Sequence, residues 1–114
     1  MANVFKLKTK ASLTTSLAAV YTVPSNKTAI ILSISLANKT GNSVTSSVQI
    51  SSDTSDTETN ADAYLLSTAP VPSGGTLEVM QGNKLVLQTT DVLKAKASTG
   101  SAIDIIVSLM EMDV

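Results

Sequence analysis

The chain has 114 residues, eight lysines against nine acidic residues, a net charge of −1, and no arginine, histidine, cysteine or tryptophan. Without histidine no imidazole can take a proton from a hydroxyl nucleophile, and without cysteine there is no thiolate metal site or disulfide. Without arginine or a basic patch the usual means of nucleic-acid recognition are missing. The composition predicts a non-enzymatic binding or building part, with no catalytic, cofactor-binding or metal-site residues.

The length fits one domain spanning 1–114, large enough for a single core without staples. The three aromatics are Phe5, Tyr21 and Tyr64, so the core must be built from Val, Ile and Leu. Ser and Thr make up roughly a quarter of the chain and can cover strand faces without charge. The N-terminus has no long apolar run and does not read as a signal peptide. No stretch approaches the ~20 apolar residues that span a membrane. The expectation is a soluble protein made in a cytoplasm, with neither a membrane nor a nucleic acid as partner.

In chain order, 4–10 alternates, with Phe5 and Leu7 on one face and Lys6, Lys8 and Lys10 on the other. This predicts an edge strand whose lysines discourage stray pairing. Residues 11–17 read as a loop and 19–23 as a short strand stopped by Pro24. Residues 28–38 form the clearest core strand, with Ile30, Leu32, Ile34 and Leu36 on one face and Ser33 and Ser35 on the other. Leu32 stands at its predicted centre. A Gly/Asn turn leads into 43–52, with Val44, Val48 and Ile50 inward, and the two runs read as a hairpin. Residues 53–62 form a polar insert that reads as an exposed loop. A strand follows at 63–68, and Pro70 and Pro72 are expected to block ladder pairing nearby. Ser73-Gly74-Gly75 turns into 76–80, Gln81-Gly82-Asn83 into 84–89, and Asp91 opens a run to Ser98. Residues 102–112 close the domain with Ile103, Ile105, Val107 and Leu109 on one face. The fold class is therefore all-β: an antiparallel β-sandwich of about eight or nine strands, jelly-roll or immunoglobulin-like.

Few constellations carry chemistry. Asp53, Asp56, Glu58 and Asp62 are hard-cation ligands in type, but their spacing does not follow the EF-hand loop and its glycine is missing. A solvated loop is the plainer reading. Asp91 and Asp104 are isolated and read as a turn former or an outward strand residue. Gly74-Gly75 reads as a turn needing positive φ rather than a phosphate cradle. Tyr21 and Tyr64 lie in strand patterns and read as core or interface residues before sugar platforms. Met80, Met110 and Met112, with Ile106, give two strands a second apolar face, which suits either a central strand or an oligomer interface.

Two stretches, Val20 to Gly41 and Val71 to Glu111, carry a resemblance in their turns and strands. The motifs are Val20-Tyr21-Thr22-Val23-Pro24, Thr28 to Ile34, Val71-Pro72-Ser73-Gly74-Gly75, Leu85-Val86-Leu87, Asp91-Val92-Leu93 and Val107-Ser108-Leu109-Met110-Glu111. Together they resemble small β-rich virion structural proteins of tailed bacteriophages, and within that group a capsid decoration (cement) protein. The resemblance implies no enzyme and no cofactor. It implies self-association as a homotrimer, and the major capsid protein as partner at the virion's capsid surface. A neck, tail or baseplate component, or a fibre-type module binding a receptor or glycan, fits the same pattern.

Overall fold

A period of two in the apolar residues, with β-branched side chains dominating, is what a pleated and half-buried ribbon accepts. The computed structural model, which describes residues 3–52, 61–80 and 83–113, is built of such ribbons. Among the described residues they are β1 (Asn3–Lys10), β2 (Ala18–Thr22), β3 (Lys27–Asn38), β4 (Val44–Ser51), β5 (Ala63–Val71), β6 (Thr76–Glu78), β7 (Leu85–Leu87), β8 (Val92–Ala97) and β9 (Ile103–Asp113). No helix occurs among them.

The strands form two antiparallel sheets. One runs β1-β9-β3 and ends on β6 and β7, both of which pair with β3; the other runs β2-β8-β4-β5. The pairing is nested: β1 with β9, β2 with β8, β3 with β6 and β7, β4 with β5. Except between β4 and β5, and between the two short strands on β3, each step along the chain crosses from one sheet to the other. That is the jelly-roll arrangement, and it decides between the two expected topologies. The core lies between the sheets and is filled by fully buried Ile31, Ile34, Leu36, Val48, Leu93, Ile103, Ile105, Val107 and Leu109.

Three expectations are corrected. The β3–β4 pair is not a hairpin, because the strands belong to opposite sheets. Both carry an inward apolar face, and the turn between them carries the chain across the core. Asn38 fixes that turn: its Nδ2 donates to the carbonyls of Asn42 and Val71, and its Oδ1 accepts from the Thr40 N–H and hydroxyl. Leu32 is not the centre of the buried face. The register with β9 shifts between Ile31 and Ser33, so Leu32 is the extra residue of a bulge. Ala29 and Ile31 point inward before it, Ile34 and Leu36 after it, while Ile30 points outward. Finally, Pro70 does not stop the ladder: β5 runs through it to Val71, with Pro70 opposite Thr45 and Val71 opposite Val44. An edge strand tolerates a residue without an N–H.

Candidate functional site

Strand β1 is amphipathic as the sequence predicts, but its polarity is inverted. Lys6 reaches the Glu111 carboxylate at 3.0 Å, and that carboxylate is buried between the sheets. The row Val4, Lys6, Lys8, Lys10 therefore faces the interior side, and Phe5 and Leu7 face solvent, 72% and 64% exposed. On Glu111 the Tyr21 hydroxyl also donates a 2.6 Å hydrogen bond from β2 in the other sheet. Tyr21, Glu111 and Lys6 thus clasp the two sheets along the β1/β2 flank. The Tyr21 hydroxyl holds the Glu111 carboxyl below its ordinary range, with Lys6 adding to it against the cost of burial. Burial and the same carboxylate push the Tyr21 phenol up.

The inversion gives the five-stranded sheet an unusual outer face. Register places Phe5 beside Met110, Met110 beside Ile30, and Ile30 beside Val86, an apolar ladder across β1, β9, β3 and β7. The next outward rows add Leu7 with Ser108 and Ser33, and Thr9 with Ile106, Ser35 and Glu78. Charge appears in these rows only at Glu78, which accepts from Ser35, and beyond them at Asp104. A ladder of Phe, Met and aliphatic side chains with no charge at its centre matches the composition of an interface core, in which charged residues are depleted. β9 is thus a central strand, and its second face is nonetheless uncovered in the isolated chain.

On the opposite flank, where β5 and β7 form the free edges, an open cleft of about 550 Å³ lies between the sheets. Its apolar lining includes Ile50, Leu65, Leu85 and Leu87, with the exposed side chains of Tyr64 and Val86 among the lining residues. Asp91 lies at its polar end, where its carboxylate accepts from the Ser52 hydroxyl and the Gln88 N–H. The Asp91 N–H returns to the Gln88 carbonyl, so this residue is a turn former.

The other residues singled out by sequence separate. Asp104 is an outward strand residue whose carboxylate takes the Ser12 N–H at 2.8 Å and Lys39 at 2.9 Å, which together hold its pKa down. Gly74 has φ +63° in the turn that the Gly75 N–H closes onto the Pro72 carbonyl, as the glycine pair predicts. Tyr21 is buried and Tyr64 exposed at the cleft. Met80 is buried in the core and does not share the outer face of Met110 and Ile106. Asp53, Asp56 and Glu58 lie outside the described residues; Asp62 accepts a hydrogen bond from the Ser52 N–H. Among the described residues no group of three His, Cys, Asp or Glu could hold a metal ion. Among the described residues no helix is long and apolar enough to cross a membrane. The cleft was not singled out from the sequence, because its walls come from two sheets whose pairing order the pattern does not specify.

No family model matches the chain, and no curated protein matches it. Among solved structures it is similar to a protein of Bacillus endospore appendages, described as a novel family of disulfide-linked pili. That match has 12% identity and a TM-score of 0.51, and covers 98% of this chain and 88% of the other. At that identity the likeness is one of fold, and it agrees with the two-sheet architecture.

Proposed function

We propose that this chain is a structural protein of a tailed-phage virion, a decoration protein that attaches to the major capsid protein and reinforces the head shell without chemistry. The observation that carries the reading is the charge-poor outer face from Phe5 to Val86, on a rigid sheet, uncovered in the isolated chain. The sequence resemblance supplies the setting, including self-association as a trimer and a place on the capsid surface. Flat sheets bearing Ser, Thr and short apolar side chains lose little side-chain entropy when covered. Few charges on the face keep crowded copies from repelling one another.

A filament is the second reading. It is favoured by apolar groups on opposite flanks of the sandwich, since head-to-tail contacts that do not close into a ring run on as a fibre. The disulfide linkage of the Bacillus pili has no counterpart in a chain without cysteine.

The test is co-sedimentation of purified protein with undecorated, expanded phage heads. Saturable binding that changes little between low and moderate salt is expected, because screening acts on exposed charges and the face has few. No binding, or pelleting of the protein alone as filaments, would overturn the capsid reading.

A further inference from the structure

The four-stranded sheet carries a local excess of positive charge. Its strands β2, β4, β5 and β8 contain no acidic residue, and their only charges are Lys94 and Lys96 on β8. Leu93, Ala95 and Ala97 of that strand are buried against the core, so both lysines project from the outer face, one pleat apart. β8 is a central strand, between β2 and β4. Both lysine side chains are half-buried, and among the described residues neither forms an ion pair. The chain as a whole has a net charge of −1, so an anion would be drawn to this place and not to the molecule at large.

A recess of about 200 Å³ opens beside Lys96. β4, β5 and β8 line it, together with Thr15 and Ser98 from the connections; the lining holds one ammonium and no carboxylate. Two of its hydroxyls are set as donors. Ser47, 2% exposed, accepts the Thr68 N–H at 2.9 Å, and Ser98 accepts the Thr45 N–H at 3.1 Å. A hydroxyl that accepts in this way keeps its own proton to give. Ser46 and Thr68 instead spend theirs on the carbonyls of Lys96 and Ser67.

We propose that this recess binds a tetrahedral oxyanion, a sulfate or phosphate group, with the Lys96 ammonium as counter-charge and the Ser47 and Ser98 hydroxyls as donors. Hydrogen bonds between an ionised donor and an ionised acceptor are the strong ones, and Lys94 adds its charge from the next pleat. A water molecule takes up about 30 Å³ of the liquid, so the space admits such an ion with part of its hydration. The free ion and a sulfate or phosphate ester on a polysaccharide offer the same chemistry. The site belongs to the sheet opposite the apolar ladder and stays open when that ladder is covered. The inference therefore goes beyond the capsid reading and does not depend on it.

Amide NMR of the full chain at low ionic strength tests this, with inorganic sulfate and inorganic phosphate as probes and chloride at matched ionic strength as the blank. Each oxyanion should shift the amides of Thr45, Ser47, Thr68, Lys96 and Ser98 saturably, and chloride should not. Lys96→Gln should weaken binding by about tenfold or more, the loss of one charged hydrogen bond. Ser98→Ala, at an exposed position, should weaken it less, and Lys8→Gln, on the other sheet, should leave it unchanged. The spectra report in the same experiment that each variant is folded. Shifts at the same amides with sulfated dextran and not with plain dextran would extend the site to an ester on a polysaccharide; shifts with the inorganic ions alone would confine it to the free ion. Four results would overturn the inference: no saturable shift, equal shifts with chloride, binding that survives Lys96→Gln, or binding that appears only after Asp53, Asp56 and Glu58 are neutralised, which would assign the lysines to the chain's own acids.

Discussion

Replacing Tyr21 by Phe tests the clasp that joins the sheets. The Tyr21 hydroxyl donates to Glu111 Oε2 at 2.6 Å, and Lys6 lies 3.0 Å from Oε1. Glu111 is only 4% exposed, so water does not readily replace a lost donor. A hydrogen bond to an ionised group in such a place contributes about 1.5–3 kcal/mol, a large share of the ~5–15 kcal/mol that holds a domain together. At about 4–8 °C per kcal/mol for a domain near 100 residues, Tyr21→Phe should melt on the order of 10 °C lower. The effect has a pH signature. The folded-state pKa of Glu111 lies below its ordinary 4.5. The stabilisation is therefore complete above 4.5 and is lost as the pH falls through the lowered folded value. Urea unfolding across that range should show the gap between wild type and Tyr21→Phe widest at neutral pH and narrowing in acid, with unchanged m-values. Equal stability at pH ~7, or a gap that ignores pH, would refute the reasoning.

Four further substitutions examine the frame. Ile34→Ala, which empties a fully buried site, should cost about 2–5 kcal/mol, whereas Leu32→Ala at the bulge should cost clearly less; chemical denaturation separates them, and equal losses would mean the bulge is misplaced. Asn38→Leu leaves the carbonyls of Asn42 and Val71 and the Thr40 N–H without their partner and should lower stability by about 2 kcal/mol or more, read from the same denaturation curves. Gly74→Ala has open space around its Cβ but a φ of +63°, so the cost should be only the left-handed backbone penalty of about 1–2 kcal/mol; a larger loss would point to a steric cause.

The alternation in 103–109 was legible because Ile103, Ile105, Val107 and Leu109 are separated by outward residues, and the structure buries all four. In 28–36 the apolar run is nearly continuous, so nothing in the pattern marks the bulge at Leu32 that moves Ile30 to the outside. In β1 the pattern separates two faces but does not say which meets the core. The lysine row is the interior one because its register with β9 sets Lys6, Lys8 and Lys10 opposite buried Leu109, Val107 and Ile105, where Glu111 from the far end of the chain receives Lys6. Alternation also does not tell whether the next strand pairs or crosses the core, which is why β3 and β4 read as a hairpin. The cleft was hidden for the same reason, since Tyr64, Leu65 and Val86 become neighbours only through the nested pairing of β4 with β5 and β3 with β7.

Electron cryo-microscopy of the phage particle is the sharpest test of the proposed role, reinforcement of the head through the apolar outer face. Density for the two-sheet sandwich is expected at regular sites on the outer shell, with Met110, Ile30 and Ile106 turned toward the major capsid protein. Density confined to neck, tail or fibre, or a particle without this protein, would contradict it.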